Sequence, residues 1–532
     1  MMKKVIKKLL AALLAVAMVC AMAIPAFAGT EGDITTWHSF SAFQIFTGNV
    51  EGNVSNDFKI SNVAWGSNIA DDAAAFLDQL KSADTIGPLF ANAHSAQDVL
   101  EVISQWKDSD ANSIAFARFV CHYLYPNANA NPTPAVTGGS DALTFNEAGY
   151  YLIVDTTPFN PGDFDHAYNS FLLKVTKANW REPITPKAEK PSVEKKVFDN
   201  QDGTSTGVFG SSADHAINEK FQFQLTATLP ASTDHAYDYY DTYAVCFKDT
   251  LSQGITYDGL DSVVIESKGN PGNRYDITDS STIDISKLES QNYFEVNIPD
   301  VKTCAEGLDL NKGATITVTY TAHLNDKAYV NTGSGSTENK NSVQLQYSNN
   351  PRPGEYWGTT PKSEVYVYTY QLNNTKYRDD AKEGNELAGA GFHLYSDEEC
   401  KNEVELYQKD GFYFPIKDST DKDKEPVAMF SDNKGQFNVK GLDAGTYYLK
   451  ETNTPAGYSA CKVIPVTIKA DHSGNHVTLS GDLNNKIVNK KAGGITLPST
   501  GGIGTTLFYV VGGGLMVAAI VLLVTKKRME NK

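Results

Sequence analysis

Few residues of this chain stand in patterns that could do chemistry. The ten histidines form no H-E-x-x-H pair, and neither a G-x-S-x-G elbow nor a P-loop occurs to hold a nucleophile or a phosphate. Of six cysteines, Cys20 lies in an N-terminal apolar run. The other five, Cys121, Cys246, Cys304, Cys400 and Cys461, are too sparse for a disulfide framework and contain no C-x-x-C for zinc or redox work. Placement along the chain makes Cys246 with Cys304 and Cys400 with Cys461 candidate disulfide pairs, while Cys121 falls in a helical pattern and reads as a small core residue. The acid-rich run from Asp418 to Glu425 lacks EF-hand spacing and reads as a solvated loop. Neither an enzyme nor a cofactor or metal site is expected. What is left is the pentapeptide Leu497-Pro498-Ser499-Thr500-Gly501, and Lys187 with Lys190 close by, in a proline-containing stretch after Trp180. Pro186 removes a backbone donor and keeps that stretch extended, which leaves the neighbouring lysine exposed.

The ends say where such chemistry would take place. Lys3, Lys4, Lys7 and Lys8 precede an apolar run from Leu9 to Ile24 and then Ala26-Phe27-Ala28, the pattern of a signal peptide cleaved after Ala28. At the other end the pentapeptide is followed by an apolar segment over 507–525, long enough to span a bilayer, and by Lys526, Lys527 and Arg528, which keep a short tail (526–532) inside. The net charge of -17 argues against a nucleic-acid or anionic-lipid surface and suits a soluble, self-repelling exterior.

Between these signals the chain divides by periodicity. Residues 29–180 are mixed: Phe116, Phe119, Val120 and Tyr123 share one helical face, Ser95 with Asp98 reads as a capping box, and Tyr150 to Val154 and Phe171 to Val175 read as strands. An α+β domain is expected there, with a linker over 181–190. Beyond it the period becomes two. Phe221, Phe223, Leu225, Ala227 and Leu229 alternate with polar residues, as do Ile316, Val318 and Tyr320, and Val343, Leu345 and Tyr347. The fold class is therefore mainly β: the α+β domain, then two immunoglobulin-like β-sandwiches over 191–368 and 369–491.

Leu497 to Gly501 with its span and basic tail resembles the cell-wall sorting signal that a sortase cleaves between the Thr and Gly, here Thr500 and Gly501. Leu387-Ala388-Gly389-Ala390-Gly391-Phe392, Gly445-Thr446-Tyr447-Tyr448-Leu449-Lys450-Glu451-Thr452 and Pro455-Ala456-Gly457-Tyr458 resemble a CNA-B-type domain with the E-box of sortase-assembled pilins, although Thr454 replaces the usual alanine. Val193-Glu194-Lys195-Lys196-Val197, Asp249-Thr250-Leu251 and Asn341-Ser342-Val343 resemble a CNA-A-like module, and Ala42-Phe43-Gln44-Ile45-Phe46 with Trp65-Gly66 a backbone-pilin N-terminal domain. Ile184-Thr185-Pro186-Lys187 after Trp180 resembles the pilin motif, with Thr185 in place of its tyrosine and a short spacing that leaves Lys190 in competition with Lys187.

The resemblance implies a shaft subunit of a covalent pilus on the Gram-positive cell surface. Sortase would join Lys187 of one subunit to Thr500 of another, and the base of the fibre to peptidoglycan. Ancillary pilins and host surface molecules are further partners under the same resemblance, and the alternative is an adhesin held singly on the wall or at a pilus tip or base. It also implies a self-formed Lys–Asn isopeptide bond in each sandwich: Lys195 to Asn341 assisted by Asp249, and Lys376 to Asn489 assisted by Glu451. Burial lowers a lysine pKa and raises that of a carboxyl, so the amine becomes nucleophilic while the acid polarises the amide carbonyl. Lys196 competes with Lys195, and strand alternation admits only one of the two to the core.

Overall fold

The computed structural model describes residues 39–54, 58–107, 110–127, 129–139, 142–156, 172–183, 190–200, 207–233, 235–269, 272–332, 339–354, 357–416, 423–473 and 476–492, with the isolated positions 521 and 526. The expected signal peptide, Lys187 and the pentapeptide Leu497 to Gly501 lie outside them, as does nearly all of the apolar segment over 507–525. Among the described residues no helix is long and apolar enough to cross a membrane.

The first unit is α+β. Its sheet runs in the order Lys59–Trp65, Phe40–Glu51, Gly149–Asp155, Leu172–Thr176, with Val136–Gly139 added beside Phe40–Glu51. The helices Ala73–Lys81, Ala96–Ile103 and Ala111–Leu124 pack over it around Phe43, Phe46, Phe76 and Val99. Ser95 caps the second of them, its Oγ accepting from Asp98 N at 3.3 Å. The Asp98 carboxylate reaches back in return, accepting from His94 N (2.7 Å) with the Ser95 backbone N–H beside it, as in a capping box. Phe116 and Val120 are buried while Phe119 and Tyr123 pack against the same core, so the helical face reads as expected. The strand Trp180–Pro183 pairs with Ala142–Phe145 and thus carries β-structure three residues into the segment expected as linker.

The middle unit is a sandwich of a seven-stranded and a six-stranded sheet. The six-stranded sheet centres on Ala314–Leu324, flanked by Lys220–Leu229 and Ile255–Ser267. Phe221, Phe223, Leu225, Ala227 and Leu229 all turn inward against Ile316, Val318 and Tyr320, the consequence of a period-two strand with one face on a core. Val245–Leu251 and Asn339–Ser348 lie together in the facing sheet. The last unit packs two five-stranded sheets. In one, Tyr370–Arg378 pairs in parallel with Asn484–Asn489, joining strands from opposite ends of the unit. In the other, Gly391–Tyr395 and Gly445–Asn453 run antiparallel.

The two candidate disulfides are not made: Cys246, Cys304, Cys400 and Cys461 are all free thiols. Cys246 is set by its register beside Asn297, with Sγ 3.6 Å from Glu295, whereas Cys304 closes a turn on Val301 O at 3.2 Å. Cys400 occupies a left-handed turn position (φ +51°), and Cys461 points to Lys376 Nζ at 3.6 Å, so neither pair faces its partner. Cys121 is buried in the helix Ala111–Leu124, as expected of a small core residue.

Candidate functional site

Alternation along Ser192–Asp199 decides between the two lysines. Lys195 and Val197 turn inward; Lys196 turns out and pairs with Glu194 at 3.2 Å. Lys195 is 2% exposed and faces Asp249 and Asn341, which stand on adjacent strands of the opposite sheet. Its Nζ donates to Asp249 Oδ2 and to Tyr320 Oη (3.0 Å), and lies over the Phe223 ring at 5.1 Å. Tyr320 Oη in turn donates to Asp249 Oδ1 (3.4 Å) and accepts from Asn341 Nδ2 (2.6 Å). Asn341 Oδ1 is buried and has no hydrogen-bond partner.

Electrostatics in this pocket follow from its dryness. Burial pulls the Lys195 ammonium down to about 8, against the opposing pull of Asp249, and pushes the Asp249 carboxyl up, against the opposing pull of Lys195. Tyr320, buried and next to that carboxylate, is held well above its ordinary value and stays a hydroxyl. Amine and acid thus approach each other in proton affinity. A proton passing from Lys195 to Asp249 leaves a neutral nucleophile and a carboxylic acid able to donate to the orphaned Asn341 Oδ1.

In the last unit Lys376 and Asn489 come from the parallel pair Tyr370–Arg378 and Asn484–Asn489, and Glu451 from Gly445–Asn453 in the facing sheet. All three side chains are buried. Lys376 Nζ donates to Asn489 Oδ1 at 2.6 Å and lies 3.5 Å from Glu451 Oε2, over the Phe392 ring at 5.0 Å. Asn489 Nδ2 donates to Glu451 Oε1 at 2.6 Å. Here the amine already touches the amide that it would attack, whereas in the middle unit Tyr320 stands between them. Cys461 completes the wall: its N–H donates to Glu451 Oε2 (2.8 Å), and burial raises its thiol to about 11, so that it is a thiol and no rival nucleophile.

Both expected triads are therefore brought together. Lys190, at the foot of the middle unit, is half-buried. Sequence reasoning missed Tyr320, Phe223, Phe392 and Cys461 as parts of these pockets. Tyr320 carried a signal: an inward-facing tyrosine in a strand must find a partner for its hydroxyl inside the core.

Comparison with known proteins adds two matched segments. Residues 372–482 match the SpaA family, described as a prealbumin-like fold domain, and residues 489–531 match the LPXTG cell wall anchor motif. The chain carries a cell wall anchor, and its localisation is the cell surface, attached to the wall. It is 26% identical over 362 residues to the trypsin-resistant surface T6 protein of Streptococcus pyogenes serotype M6, a match covering 62% of this chain and 58% of that relative. The chain is thus matched over less than two thirds of the relative's length. Among solved structures it is similar to the T6 backbone pilin of serotype M6 Streptococcus pyogenes (16% identity, TM-score 0.45, 86% of this chain and 96% of that one). It is also similar to the major pilin SpaD of Corynebacterium diphtheriae (17% identity, TM-score 0.38, 65% and 80%).

Proposed function

We propose that this chain is a structural shaft subunit of a covalently polymerised Gram-positive pilus, divided into an α+β domain, a short linker and two sandwiches as expected from its periodicity. A sortase cleaves between Thr500 and Gly501 and passes the Thr500 carbonyl to Lys187 in the linker of the next subunit. Identical subunits are therefore its main partners, ancillary pilins join the same fibre, and peptidoglycan receives its base. The chain is a substrate of that enzyme and turns nothing over itself.

Each sandwich closes on an isopeptide bond. In the middle unit the Lys195 proton passes to Asp249, Nζ attacks Cγ of Asn341, and Asp249 donates to Oδ1. The tetrahedral centre then collapses with loss of one ammonia, leaving an Nζ–Cγ amide. Glu451 performs the same service for Lys376 and Asn489. The observation that carries this reading is the pair of buried Lys–acid–Asn triads. An unpaired function for so many buried polar groups would cost stability with no return, whereas a bond between Lys195 and Asn341 joins the two sheets and one between Lys376 and Asn489 joins the first and last strands. Such links keep a domain from being peeled open under tension.

Cell-wall extracts of the producing strain, run on denaturing gels, test the shaft assignment. The expected result is a ladder of covalent multimers that collapses to monomer in Lys187→Ala. A ladder unchanged in Lys187→Ala but lost in Lys190→Ala would move the linkage to Lys190. No ladder in the unmodified strain would overturn the shaft and favour a singly anchored adhesin.

A further inference from the structure

The segment Ser212 to Glu219 of the middle unit is pressed against the last unit. Ile217 N donates to Gly441 O (2.9 Å) and Ala444 N to Asp214 Oδ2 (3.2 Å), while His215 N donates to Tyr368 O (3.0 Å) within the middle unit. Four carboxylates, Asp199, Asp214, Glu219 and Asp443, gather at this junction with two imidazoles, His215 and His472. Such a density of negative charge at a largely buried seam is costly unless a cation compensates it.

His215 shows where the cation belongs. Its ring is 1% exposed and stacked on Phe221 at 4.1 Å. Nε2 lies 2.7 Å from the Phe198 carbonyl, which can only accept, so Nε2 is a donor and Nδ1 is the ring nitrogen left to ligate. That Nδ1 is buried, has no hydrogen-bond partner, and stands 3.7 Å from Glu219 Oε1. The approach of Nδ1 to a carboxylate is favourable only with something positive between them, a proton or a metal ion. A ring nitrogen of His215 and oxygens of Glu219 and Asp443 all lie within 4.8 Å of one another, the spread of donors around an ion that each would hold at about 2.0–2.2 Å. Asn200 Nδ2 bridges the same two carboxylates, at 3.0 Å to Glu219 and 3.2 Å to Asp443, and a half-turn of that amide would present an oxygen instead. A cavity of about 630 Å³, lined by Asn200, Glu219 and Asp443 among others, opens the site to solvent. The adjoining His472 makes a different case: both of its nitrogens are satisfied, by Ser212 Oγ (2.8 Å) and Asp214 Oδ1 (3.0 Å).

We propose that His215, Glu219 and Asp443 form a binding site for a divalent transition-metal ion, with Zn²⁺ the best-fitting species, and that the ion pins the two sandwiches together. One imidazole nitrogen with two carboxylates suits Zn²⁺ or Mn²⁺, while Ca²⁺ prefers six to eight oxygens. The Nε2–H to carbonyl bond of His215 is the outer-shell contact that orients a ligating imidazole. The site departs from the metal-free expectation drawn from the sequence, since Asp443 lies far along the chain from His215 and Glu219.

Titration calorimetry and thermal unfolding of the full chain, stripped with EDTA and then given ZnCl₂, MnCl₂ or CaCl₂ alone, test the assignment. Zn²⁺ is expected to bind at a single high-affinity site and raise the unfolding midpoint, with Ca²⁺ far weaker. His215→Ala and Asp443→Asn are each expected to weaken Zn²⁺ binding by about 100-fold, while His323→Ala, on the separate surface pair with Asp258, changes neither readout. Glu219→Gln, at a partly exposed position, serves where a buried variant fails to fold, and is expected to weaken binding at least about tenfold. Failure of the unmodified chain to bind Zn²⁺ or Mn²⁺ overturns the site. So does affinity unchanged in the folded ligand variants, or Ca²⁺ binding more tightly than Zn²⁺.

Discussion

Lysine 195 and lysine 376 are held in the same kind of place by different neighbours, and those neighbours predict different behaviour. Asp249→Ala removes the acid that takes the Lys195 proton, so the intact mass is expected to fall short of the variant's calculated mass by one ammonia where the unmodified chain falls short by two, with the last unit's bond unaffected. Because the lost link closes a loop of more than 100 residues, the middle unit should lose about 4–5 kcal/mol, read as a lower unfolding midpoint. Tyr320→Phe keeps amine and acid but removes the hydroxyl joining them to Asn341. Bond formation after refolding is expected to slow by about 10²-fold, followed by mass spectrometry over time. Asn341→Ala leaves Lys195 unlinked, with a folded pKa of about 8 below its ordinary 10.5. The folded state then favours the neutral amine, and unfolding takes up a proton between those values. Its stability relative to Asn341→Ala/Lys195→Met should therefore rise with pH from about 8 to 10.5, by up to about 3 kcal/mol, and be lost as pH falls through that window. A urea midpoint that is flat across it would show that the lysine is not desolvated.

Strands determine which residues those pockets can reach. The parallel pairing of Tyr370–Arg378 with Asn484–Asn489 places Lys376 opposite Ile487 and Arg378 opposite Asn489, a diagonal that brings amine and amide together in one layer. A shift of one residue would turn Asn489 away from the core. The seam between the sandwiches depends on Gly441, whose φ of +79° and whose closeness to Ile217 leave no room for a side chain: a Cβ there would meet Ile217 Cδ1 at 2.6 Å. Gly441→Ala is expected to destabilise by about 1–3 kcal/mol, visible as a lower unfolding midpoint while both ammonia losses persist in the intact mass.

Across the molecule the predicted bonds matter as barriers more than as equilibrium terms. A chain carrying both Lys195→Ala and Lys376→Ala should be cleaved by trypsin with a half-life shorter by on the order of tenfold or more, because opening no longer stops at a covalent link. Each single variant should fall between, since each sandwich has its own core: one around Phe223, Tyr320 and Leu345, the other around Phe392, Phe437 and Leu449. Equal half-lives in the double variant and the unmodified chain would mean that the sandwiches resist proteolysis without the bonds.

Much of this was legible in linear order because the cues are local. An L-P-x-T-G before an apolar segment and period-two runs such as Phe221 to Leu229 each depend on residues within a few positions of one another. The choice of Lys195 over Lys196 was a matter of alternation, left open in the sequence and closed once Val197 was seen to face the core. Distance along the chain hid the rest. Tyr320 joins Lys195 only because the two strands flank Lys220–Leu229 in one sheet, and the cysteines suggested as pairs by shared domains are kept apart by register and turn geometry. The junction of His215 and Glu219 with Asp443 draws on two sandwiches, so no spacing in the sequence could announce it; packing of one folded unit on another creates it.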